Sequence, residues 1–540
     1  MNPNASSAND ARIDAPTLKA WLHDDSEIAL LDVREHGQYG ESHIFQAAPV
    51  PYSRLEIDIV RLAPRRSVRV VVYDDGDGVA ERARAALQRI GYDSVHTLRG
   101  GIQGWVDAGF NVFAGVNVPS KTFGELAEIA FHTPRIGAAD LAARLERGDD
   151  LVVLDGRPFP EYQKMSIPGA ICCPNGELAL HAQTLAPDPN TTIVINCAGR
   201  TRSIIGAQTL INLGVPNPVL ALENGTQGWY LQDLSLEHGA TRRHAGQASA
   251  DTVESARIRA RDLAERAGVQ TIGADEARRW LGESTRTTFL CDVRTPEEFA
   301  TGSLPGAQHT PGGQLIQATD QYIAVRGARL ILVDDDGVRA PVVASWLTQM
   351  GWEVAVLQGG VQTAAVAADA PTAAASDLPQ IACRELAAAM QTGVHLVDLR
   401  PSSAYRAQHI EQARWSIRPR LGELALPHDA TVVLLTPEPD LAMLAARDLR
   451  AMGIERLSLN TGSPQSWRDA GLAVVSTPES PPDSACIDFL FFVHDRHDGN
   501  KQAARQYLAW ETNLIHQIDP QERATFEFTL SAHSHNTEAR

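Results

Sequence analysis

The chain has 540 residues, of which 48 are Lys or Arg and 66 are Asp or Glu, so its formal net charge is −18. This acidic balance disfavours nucleic acid and anionic membrane surfaces as partners, and no apolar stretch approaches the length of a membrane span. The length predicts three to five domains. Six cysteines without a CxxC pair argue against a disulfide framework and favour a reducing compartment, so we expect a cytoplasmic protein.

An internal repeat organises most of the sequence. An Asp-x-Arg element with an aromatic residue five positions after its arginine occurs four times, beginning at Asp32, Asp155, Asp292 and Asp398. Each element follows an apolar run, and a second apolar run then leads into a loop, a helix and a glycine. The loops begin at Asp74, Cys197, Asp334 and Thr436, which lie 42 residues after the first Asp in three copies and 38 in the fourth. Such regular spacing predicts four copies of one domain, of which the second alone keeps a thiol at this position.

The second copy shows the pattern of an α/β domain. Its apolar runs at 151–154, 192–195 and 219–222 lack polar alternation, as expected of parallel strands that are covered on both faces. Ile204, Ala207 and Ile211 then share one face of a predicted helix. We therefore predict a small, mainly parallel sheet flanked by helices in each copy, with ligand chemistry beyond the carboxyl ends of the strands.

Changes in composition predict the domain boundaries. We place the four repeats at 1–115, 116–240, 241–372 and 373–478, and a C-terminal α+β tail at 479–540. The connecting segments are predicted as partly helical at 115–133, charged and helical at 238–269, and an Ala-rich linker at 363–379.

The tail shows an apolar run at 486–493, which suggests a strand, and an amphipathic helix at 501–518. Between them lie four residues that could ligate a metal, namely His494, Asp495, His497 and Asp498. An HxxH without further fixed ligands is typical of a solvated loop, and no metal is predicted.

Cys197 is the candidate nucleophile. It follows a predicted strand and precedes a helix that we expect to begin at Ser203, so loop amides and the helix dipole point at its sulfur. Arg200 and Arg202 stand in the same loop as countercharges for an anion. We therefore predict a lowered thiol pKa and a reactive thiolate. The alternative is a buried cysteine that serves only in packing.

These features together resemble the rhodanese-like sulfurtransferase superfamily, in particular bacterial proteins with four tandem rhodanese domains. The resemblance rests on the four Asp-x-Arg elements, the Pro-Gly-Ala turns at 168–170 and 305–307, the loop CAGRTR at 197–202, and the Gly-x-x-Gly-Trp endings at Trp105 and Trp229. It implies doubly wound domains whose six-residue loop cradles a cysteine persulfide. It also puts sulfur transfer in doubt for the three copies without a loop cysteine.

From the resemblance and the loop we predict the following chemistry, with no cofactor. Cys197 attacks the outer sulfur of a small anionic donor, thiosulfate or a related persulfide, and the resulting persulfide passes its sulfur to cyanide or a thiol. The predicted substrate-binding residues are Ala198, Gly199, Arg200, Thr201 and Arg202. Asp155 and Arg157, as a structural ion pair, and Ser203 are predicted to support the loop from behind.

Several alternatives stay open at this point. The protein could be a persulfide carrier or scaffold without catalysis, in which the copies without the thiol bind a partner. It could also be a cysteine phosphatase or arsenate reductase, although those loops resemble C-x5-R and the run from Cys197 to Arg202 is C-x4-R. Cys172 and Cys173 could be resolving thiols, with core packing as the favoured reading. The sequence leaves the oligomeric state open, including a homo-oligomer.

Overall fold

The computed structural model describes residues 11–244, 249–364, 366, 377–491 and 500–530. Two compact units are distinguished. The first comprises Met1–Asp24, Ile28–Val116 and Pro371–Phe492, and the second comprises Asp25–Glu27, Asn117–Ala370 and Val493–Arg540. Repeats 1 and 4 therefore belong to the first unit, and repeats 2 and 3 to the second. The motif at His494, Asp495, His497 and Asp498 lies outside the described residues.

The first unit contains two main sheets with their helices, and a two-stranded antiparallel sheet of His409–Ile410 and Val474–Val475. The strands of repeat 1 are Arg12–Ile13, Ile28–Asp32, Ala48–Pro49, Arg69–Tyr73 and Val95–Leu98, and its helices are Ala15–Trp21, His36–Glu41, Leu55–Leu62, Val79–Arg89 and Gly101–Asp107. The strands of the repeat 4 region are His395–Asp398, His409–Ile410, Arg414–Trp415, Thr431–Leu435, Arg456–Asn460 and Val474–Val475. Its α-helices are Cys383–Met390, Ser402–Ala407, Pro439–Ala451 and Pro464–Asp469, with 3-10 helices at Arg418–Leu424 and Asp483–Ala485.

The second unit contains two further sheets and three additional long helices. The strands of repeat 2 are Arg135–Ile136, Leu151–Asp155, Ile171–Cys172, Thr192–Asn196 and Val219–Leu222, and its helices are Ala138–Arg147, Phe159–Lys164, Leu178–Leu185, Thr201–Asn212 and Gly225–Leu231. The strands of the repeat 3 sheet are Gln270–Ile272, Thr288–Asp292, Gln308–His309, Arg329–Val333 and Glu353–Leu357, and the short strand Val325–Arg326 is not part of this sheet. Its helices are Ala274–Gly282, Pro296–Thr301, Gly312–Gln317 and Arg339–Gln349, with 3-10 helices at Thr319–Gln321 and Gly360–Gln362. The additional long helices are Val118–Phe131, Ala250–Arg266 and Lys501–Gln517, and a short helix follows at Pro520–Arg523.

The main sheets of the four repeats share one strand order. In repeat 2, parallel neighbours run from Arg135–Ile136 through Val219–Leu222, Thr192–Asn196 and Leu151–Asp155 to Ile171–Cys172. Repeats 1 and 3 have the same order of five strands. Repeat 4 has four of them, and a parallel bridge from Gln380 to Leu459 stands where the edge strand would be. The predicted fold class, parallel sheets flanked by helices, is confirmed.

The Asp-x-Arg elements form the same buried ion pair in every copy. In repeat 2, Arg157 donates from Nε and Nη2 to the two oxygens of Asp155 at 2.8 and 2.7 Å, and Nη2 also reaches the Met165 carbonyl at 2.6 Å. In each copy the arginine reaches the carbonyl eight residues further along the chain, which ties the strand end to the next turn. The tie explains why the element recurs in copies that have lost the thiol.

The tryptophans at the ends of the repeats are packing residues, and so are Cys172 and Cys173, which are adjacent to each other in the sequence. Trp105, Trp229 and Trp467 are buried, and each indole N–H donates to a nearby oxygen within its own repeat. Cys172 and Cys173 lie in the cores on the two sides of the repeat 2 sheet. Burial raises the pKa of Cys172 to about 12 and that of Cys173 well above its usual value. Such thiols are poor nucleophiles, so the packing reading is favoured over the resolving role.

The connecting segments contain the predicted helices. The charged helix Ala250–Arg266 begins at the N-cap Ser249, whose hydroxyl accepts the Thr252 amide. Ala256, Ala260 and Leu263 on its apolar face pack into the core of repeat 2. Among the described residues, no helix has both the length and the apolar character that a membrane crossing requires. The cytoplasmic location stays a prediction.

The tail differs from its prediction in one respect. The apolar run forms no strand over its described part, 486–491. Its polar groups instead meet the starts of two helices in the first unit, where Gly37 N–H donates to the Ile487 carbonyl and Ser402 N–H donates to the Asp488 carboxylate, both at 2.8 Å. These contacts replace a β-ladder. The predicted amphipathic helix is present as Lys501–Gln517.

Candidate active site

Cys197 directly follows strand Thr192–Asn196 and so lies at the carboxyl end of that strand. This is the edge of a parallel sheet at which α/β proteins bind their ligands. The next helix begins at Thr201, two residues earlier than predicted, so the loop is tighter than expected. The loop is held from outside by the first turn of helix Gly225–Leu231, where Thr226 N–H donates to the Cys197 carbonyl at 2.9 Å. The six loop residues that the sequence singled out are therefore brought together.

Gly225 permits this close approach. Its φ is +53°, and a Cβ at this position would lie 2.2 Å from the Cys197 carbonyl oxygen and 2.8 Å from the Gly199 carbonyl oxygen. The equivalent Gly101 and Gly360 meet the Asp74 and Asp334 carbonyls in the same way. A side chain here would have to displace the loop backbone.

We expect Gly225→Ala to lower the catalytic rate at least tenfold and to destabilise the protein by about 1–3 kcal/mol, since the added methyl group must push the Cys197 loop out of place. Gly214→Ala is the matched control, because Gly214 has a similar φ of +67° but no atom near the position of the added Cβ. Enzyme kinetics and thermal unfolding would be measured on both variants. Equal activity losses in the two would show that backbone conformation alone, rather than contact with the loop, is responsible.

The Cys197 side chain is buried. The residue is 2% exposed, and its sulfur lies 3.5 Å from Ser203 Oγ. Burial raises the pKa of the Cys197 thiol, although the charge of Arg202 and the hydrogen bonds with Ser203 lower it; the Glu511 carboxylate raises it further. The predicted lowering of this pKa is therefore wrong. The sequence indicated the helix dipole and the arginines near the sulfur, but it did not indicate which helices bury it.

A raised thiol pKa predicts a steep pH dependence. Because thiolate is the reactive form, the rate at which iodoacetamide alkylates Cys197 should rise about tenfold per pH unit from about pH 7 to 9. The rate would be followed by mass spectrometry of the Cys197 peptide. A plateau already reached at neutral pH would contradict the raised pKa.

Both loop arginines are engaged by carboxylates of the protein itself. Arg200 donates from Nε and Nη2 to the two oxygens of Glu125 at 2.7 and 2.9 Å, and Nη2 also contacts Glu128. Arg202 donates to both oxygens of Glu161 at 2.9 and 2.8 Å. The sequence predicted that these guanidinium groups face an anionic substrate, but in the structure their charges are compensated, so they chiefly fix the loop.

Two helices outside the repeat 2 sheet cover the loop. Helix Val118–Phe131 packs Gly124 against Thr201, with Lys121 and Glu125 on its buried face. Helix Lys501–Gln517 brings Glu511, whose Oε1 accepts the Thr201 hydroxyl at 2.9 Å. Its Tyr507 hydroxyl contacts the Lys121 ammonium, so the two helices also meet each other.

These covering residues were missed in the sequence. Glu511 and Tyr507 stand more than 300 positions after the loop, in a tail that carries no recognisable motif. The amphipathic pattern of 501–518 indicated a helix that would pack, but it gave no sign of the surface it would cover.

Ser203 and the Asp155–Arg157 ion pair hold the Cys197 loop in place through hydrogen bonds. The Ser203 hydroxyl donates to the Arg200 carbonyl at 2.8 Å, so it closes the loop on itself. Asn196, the residue before Cys197, donates from Nδ2 to Asp155 at 2.6 Å and thereby joins the strand end to the Asp155–Arg157 pair. Asp155 and Arg157 thus reach the loop through Asn196.

The loops of repeats 1 and 3 hold a carboxylate in their own amide cradle. Asp74 accepts the N–H groups of Gly76 and Ala80, both at 2.9 Å. Asp334 accepts those of Gly337 at 3.1 Å and Ala340 at 2.9 Å. A carboxyl group of the chain itself therefore occupies the place that an external anion would take. Burial, with the charge of Asp336, raises the pKa of Asp334 to about 7.

Among the described residues, one group brings three metal-ligating side chains together. The ligand atoms of Glu177, His181 and His244 lie within 4.8 Å of one another. Arg339 Nη1 is 3.3 Å from both Glu177 oxygens, and the two imidazole rings stack with their centroids 4.2 Å apart. Because Arg339 already supplies the countercharge to Glu177, we assign no metal to this group.

Comparison with known proteins agrees with this geometry. The family model of the rhodanese-like domain matches residues 14–108, 137–232 and 273–364. The chain belongs to the rhodanese-like domain family. The matches fall on the first three repeats; the repeat 4 region shares their strand order and its Asp398–Arg400 ion pair without such a match.

The chain is similar to proteins from several organisms. The crystal structure of a thiosulfate sulfurtransferase from Pseudomonas aeruginosa is 43% identical, with a TM-score of 0.88 over 96% of this chain and 99% of that one. A sulfurtransferase from Allochromatium vinosum is 29% identical over 102 residues, which cover 19% of this chain and 94% of that protein. The chain spans 54% and 63% of the length of two further curated relatives, from Bacillus subtilis and Arabidopsis thaliana.

Proposed function

We propose that the protein is a sulfurtransferase that carries a sulfane sulfur on Cys197, from thiosulfate or a related persulfide donor to cyanide or a thiol. The observation that carries the proposal is the contrast between the loops: Cys197 occupies the position at which two other copies bind their own aspartate in the amide cradle. The names of the Pseudomonas aeruginosa and Allochromatium vinosum relatives support the same activity.

In the first half-reaction the Cys197 thiolate attacks the outer sulfur of the donor. A bond forms between the Cys197 sulfur and the transferred sulfur, and the bond within the donor breaks. Its electron pair leaves with sulfite or with the donor thiolate. The enzyme is left with a Cys197 persulfide.

The amide cradle stabilises that persulfide. By internal comparison with Asp74, whose carboxylate accepts the amides two and six residues further on, the equivalent donors in repeat 2 are Gly199 N–H and Ser203 N–H. Aimed at the terminal sulfur, such donors act as an oxyanion hole does on oxygen, and each is worth about 3 kcal/mol.

In the second half-reaction the acceptor attacks the terminal sulfur. A bond forms between the acceptor and that sulfur, the sulfur–sulfur bond of the persulfide breaks, and its electron pair returns to Cys197. Thiocyanate results from cyanide, and a new persulfide results from a thiol. The covalent intermediate predicts ping-pong kinetics.

The charges around the loop bear on the choice of donor. The loop and its two covering helices, with Glu161, carry three cations and four carboxylates: Lys121, Arg200 and Arg202, and Glu125, Glu128, Glu161 and Glu511. This balance gives no strong preference for a dianion. Thiosulfate and a less charged organic persulfide are therefore both tested as donors.

The experiment is a steady-state assay of the purified full chain. Thiocyanate formation from thiosulfate and cyanide, and thiol-dependent sulfur release from glutathione persulfide, should both show ping-pong patterns, while hydrolysis of a chromogenic phosphate ester should be absent. Phosphatase activity without sulfur transfer would contradict the proposal. Persulfide formation on Cys197 without turnover to any acceptor would favour the carrier alternative.

A further inference from the structure

Glu511 presents an unused hydrogen-bond acceptor beside the Cys197 loop. The residue is 2% exposed and lies on helix Lys501–Gln517. Its Oε1 accepts the Thr201 hydroxyl, but its Oε2 is buried and has no hydrogen-bond partner among the described residues. A Cβ built on Gly199 would lie 2.8 Å from this oxygen, which places Oε2 over the loop.

A buried carboxylate oxygen without a hydrogen-bond partner destabilises the folded protein. Such a group therefore calls for a ligand or a functional explanation. Leaving such an atom unpaired costs at least as much as a lost hydrogen bond, and more when the group is charged. The same carboxylate raises the pKa of Cys197, so it also opposes formation of the nucleophile. Glu511 thus has an unpaired buried oxygen and also disfavours the Cys197 thiolate. Both effects are offset if a bound substrate donates a hydrogen bond to Glu511.

The nearby cations are already engaged. On helix Val118–Phe131, the Lys121 ammonium contacts the Tyr507 hydroxyl and lies 4.7 and 4.6 Å from the ring centres of Tyr507 and Trp510. In the loop itself, Arg200 and Arg202 are paired with glutamates. These cations are therefore not available to Glu511 Oε2, and a donor group carried by the ligand fits this position.

We propose that Glu511 selects the sulfur acceptor: a small thiol whose ammonium group, or another N–H donor, binds Glu511 Oε2 while its sulfur faces the Cys197 persulfide. This inference rests on the proposed function and adds the acceptor class to it. A cationic aminothiol satisfies the buried oxygen and compensates its charge. A thiol with a carboxylate in the same place is repelled.

The transfer itself balances without a further reactant. The aminothiolate attacks the terminal sulfur of the Cys197 persulfide, a new sulfur–sulfur bond forms, and the bond to the Cys197 sulfur breaks with its electron pair left on Cys197. The ammonium stays on Glu511 throughout. Glu511 is therefore a specificity residue and gives no proton to the reaction.

Three thiols of similar size test the proposal: 2-aminoethanethiol, 2-mercaptoethanol and 3-mercaptopropionate. The full chain is first loaded with sulfur from thiosulfate, the Cys197 persulfide is verified by intact mass, and kcat/KM is measured for each thiol with wild type and Glu511→Gln. We expect the variant to lose about tenfold with the aminothiol, to change little with the neutral thiol and to gain severalfold with the anionic one. Because each ratio compares one thiol on two enzymes, differences in thiol acidity cancel.

The outcomes are distinguishable. A common factor for all three thiols would reflect the altered acidity of Cys197 or a structural role, and would overturn the inference while leaving the proposed function intact. Absence of the persulfide from the wild type would overturn the proposed function itself. Glu265→Gln, an equal change of charge on an exposed residue, should leave all three ratios near one.

A measurement on the wild type alone guards against a variant that fails to fold. Ethylammonium carries the cation without the sulfur, so it should compete with 2-aminoethanethiol for the persulfide form of the enzyme, whereas propionate should not. If ethylammonium does not compete, or if propionate competes equally well, the assignment of Glu511 is wrong.

Discussion

Cys197→Ser is expected to abolish sulfur transfer, with a loss of at least about a thousandfold in kcat/KM with every donor. A serine hydroxyl in the same position is not ionised near neutral pH and forms no persulfide, so neither half-reaction can proceed. The other copies cannot substitute, since their loop positions hold Asp74, Asp334 and Thr436. The rate of thiocyanate formation, with thiosulfate and cyanide varied, measures the loss.

Cys383→Ser is the matched control for this variant. Cys383 is half-buried and begins a helix in the first unit, so its replacement should leave the rate within about twofold of wild type. A Cys197→Ser protein that keeps a tenth or more of the wild-type rate would show that another residue carries the sulfur.

Arg157→Ala is expected to cost about 3–5 kcal/mol of folding free energy. The substitution removes one partner of a fully buried pair and leaves the Asp155 carboxylate uncompensated beside Asn196. Because Asn196 precedes Cys197, the loop should also lose its fixed position, and activity should fall even at temperatures where the protein stays folded. Denaturant unfolding and steady-state kinetics would report the two effects.

Arg147→Ala provides the comparison for Arg157→Ala. Arg147 pairs with Asp149 on the surface, and its side chain is 61% exposed, so its removal should change the free energy of unfolding far less than the removal of Arg157. Similar losses for the two variants would mean that the recurring Asp-x-Arg element is not the structural tie that its geometry indicates.

The repeat could be predicted from the sequence because its signals are local. An Asp-x-Arg after an apolar run fixes a strand end, and the equal spacing to Asp74, Cys197 and Asp334 places each loop on the next strand of the same sheet. The ion pair predicted for Asp155 and Arg157 has the expected partners. The division at 115, 240, 372 and 478 stays a prediction.

The state of the candidate site could not be predicted, because the residues that decide it are distant along the chain. Glu125 and Glu511 lie on helices outside the repeat 2 sheet, and together they compensate Arg200 and cover Thr201. The loop predicted to be cationic is therefore buried and has its arginines paired with glutamates, and the Cys197 pKa shifts upward instead of downward. Burial of this kind depends on tertiary packing, which no local pattern encodes.

The central claim is that one sulfur atom resides on Cys197 during turnover, and intact-mass spectrometry tests it most directly. After incubation with thiosulfate and removal of excess donor, the full chain should gain the mass of one sulfur atom, peptide mapping should place it on Cys197, and cyanide should remove it. An unchanged mass, or a sulfur found on Cys172, Cys173 or another cysteine while Cys197 stays free, would contradict the account.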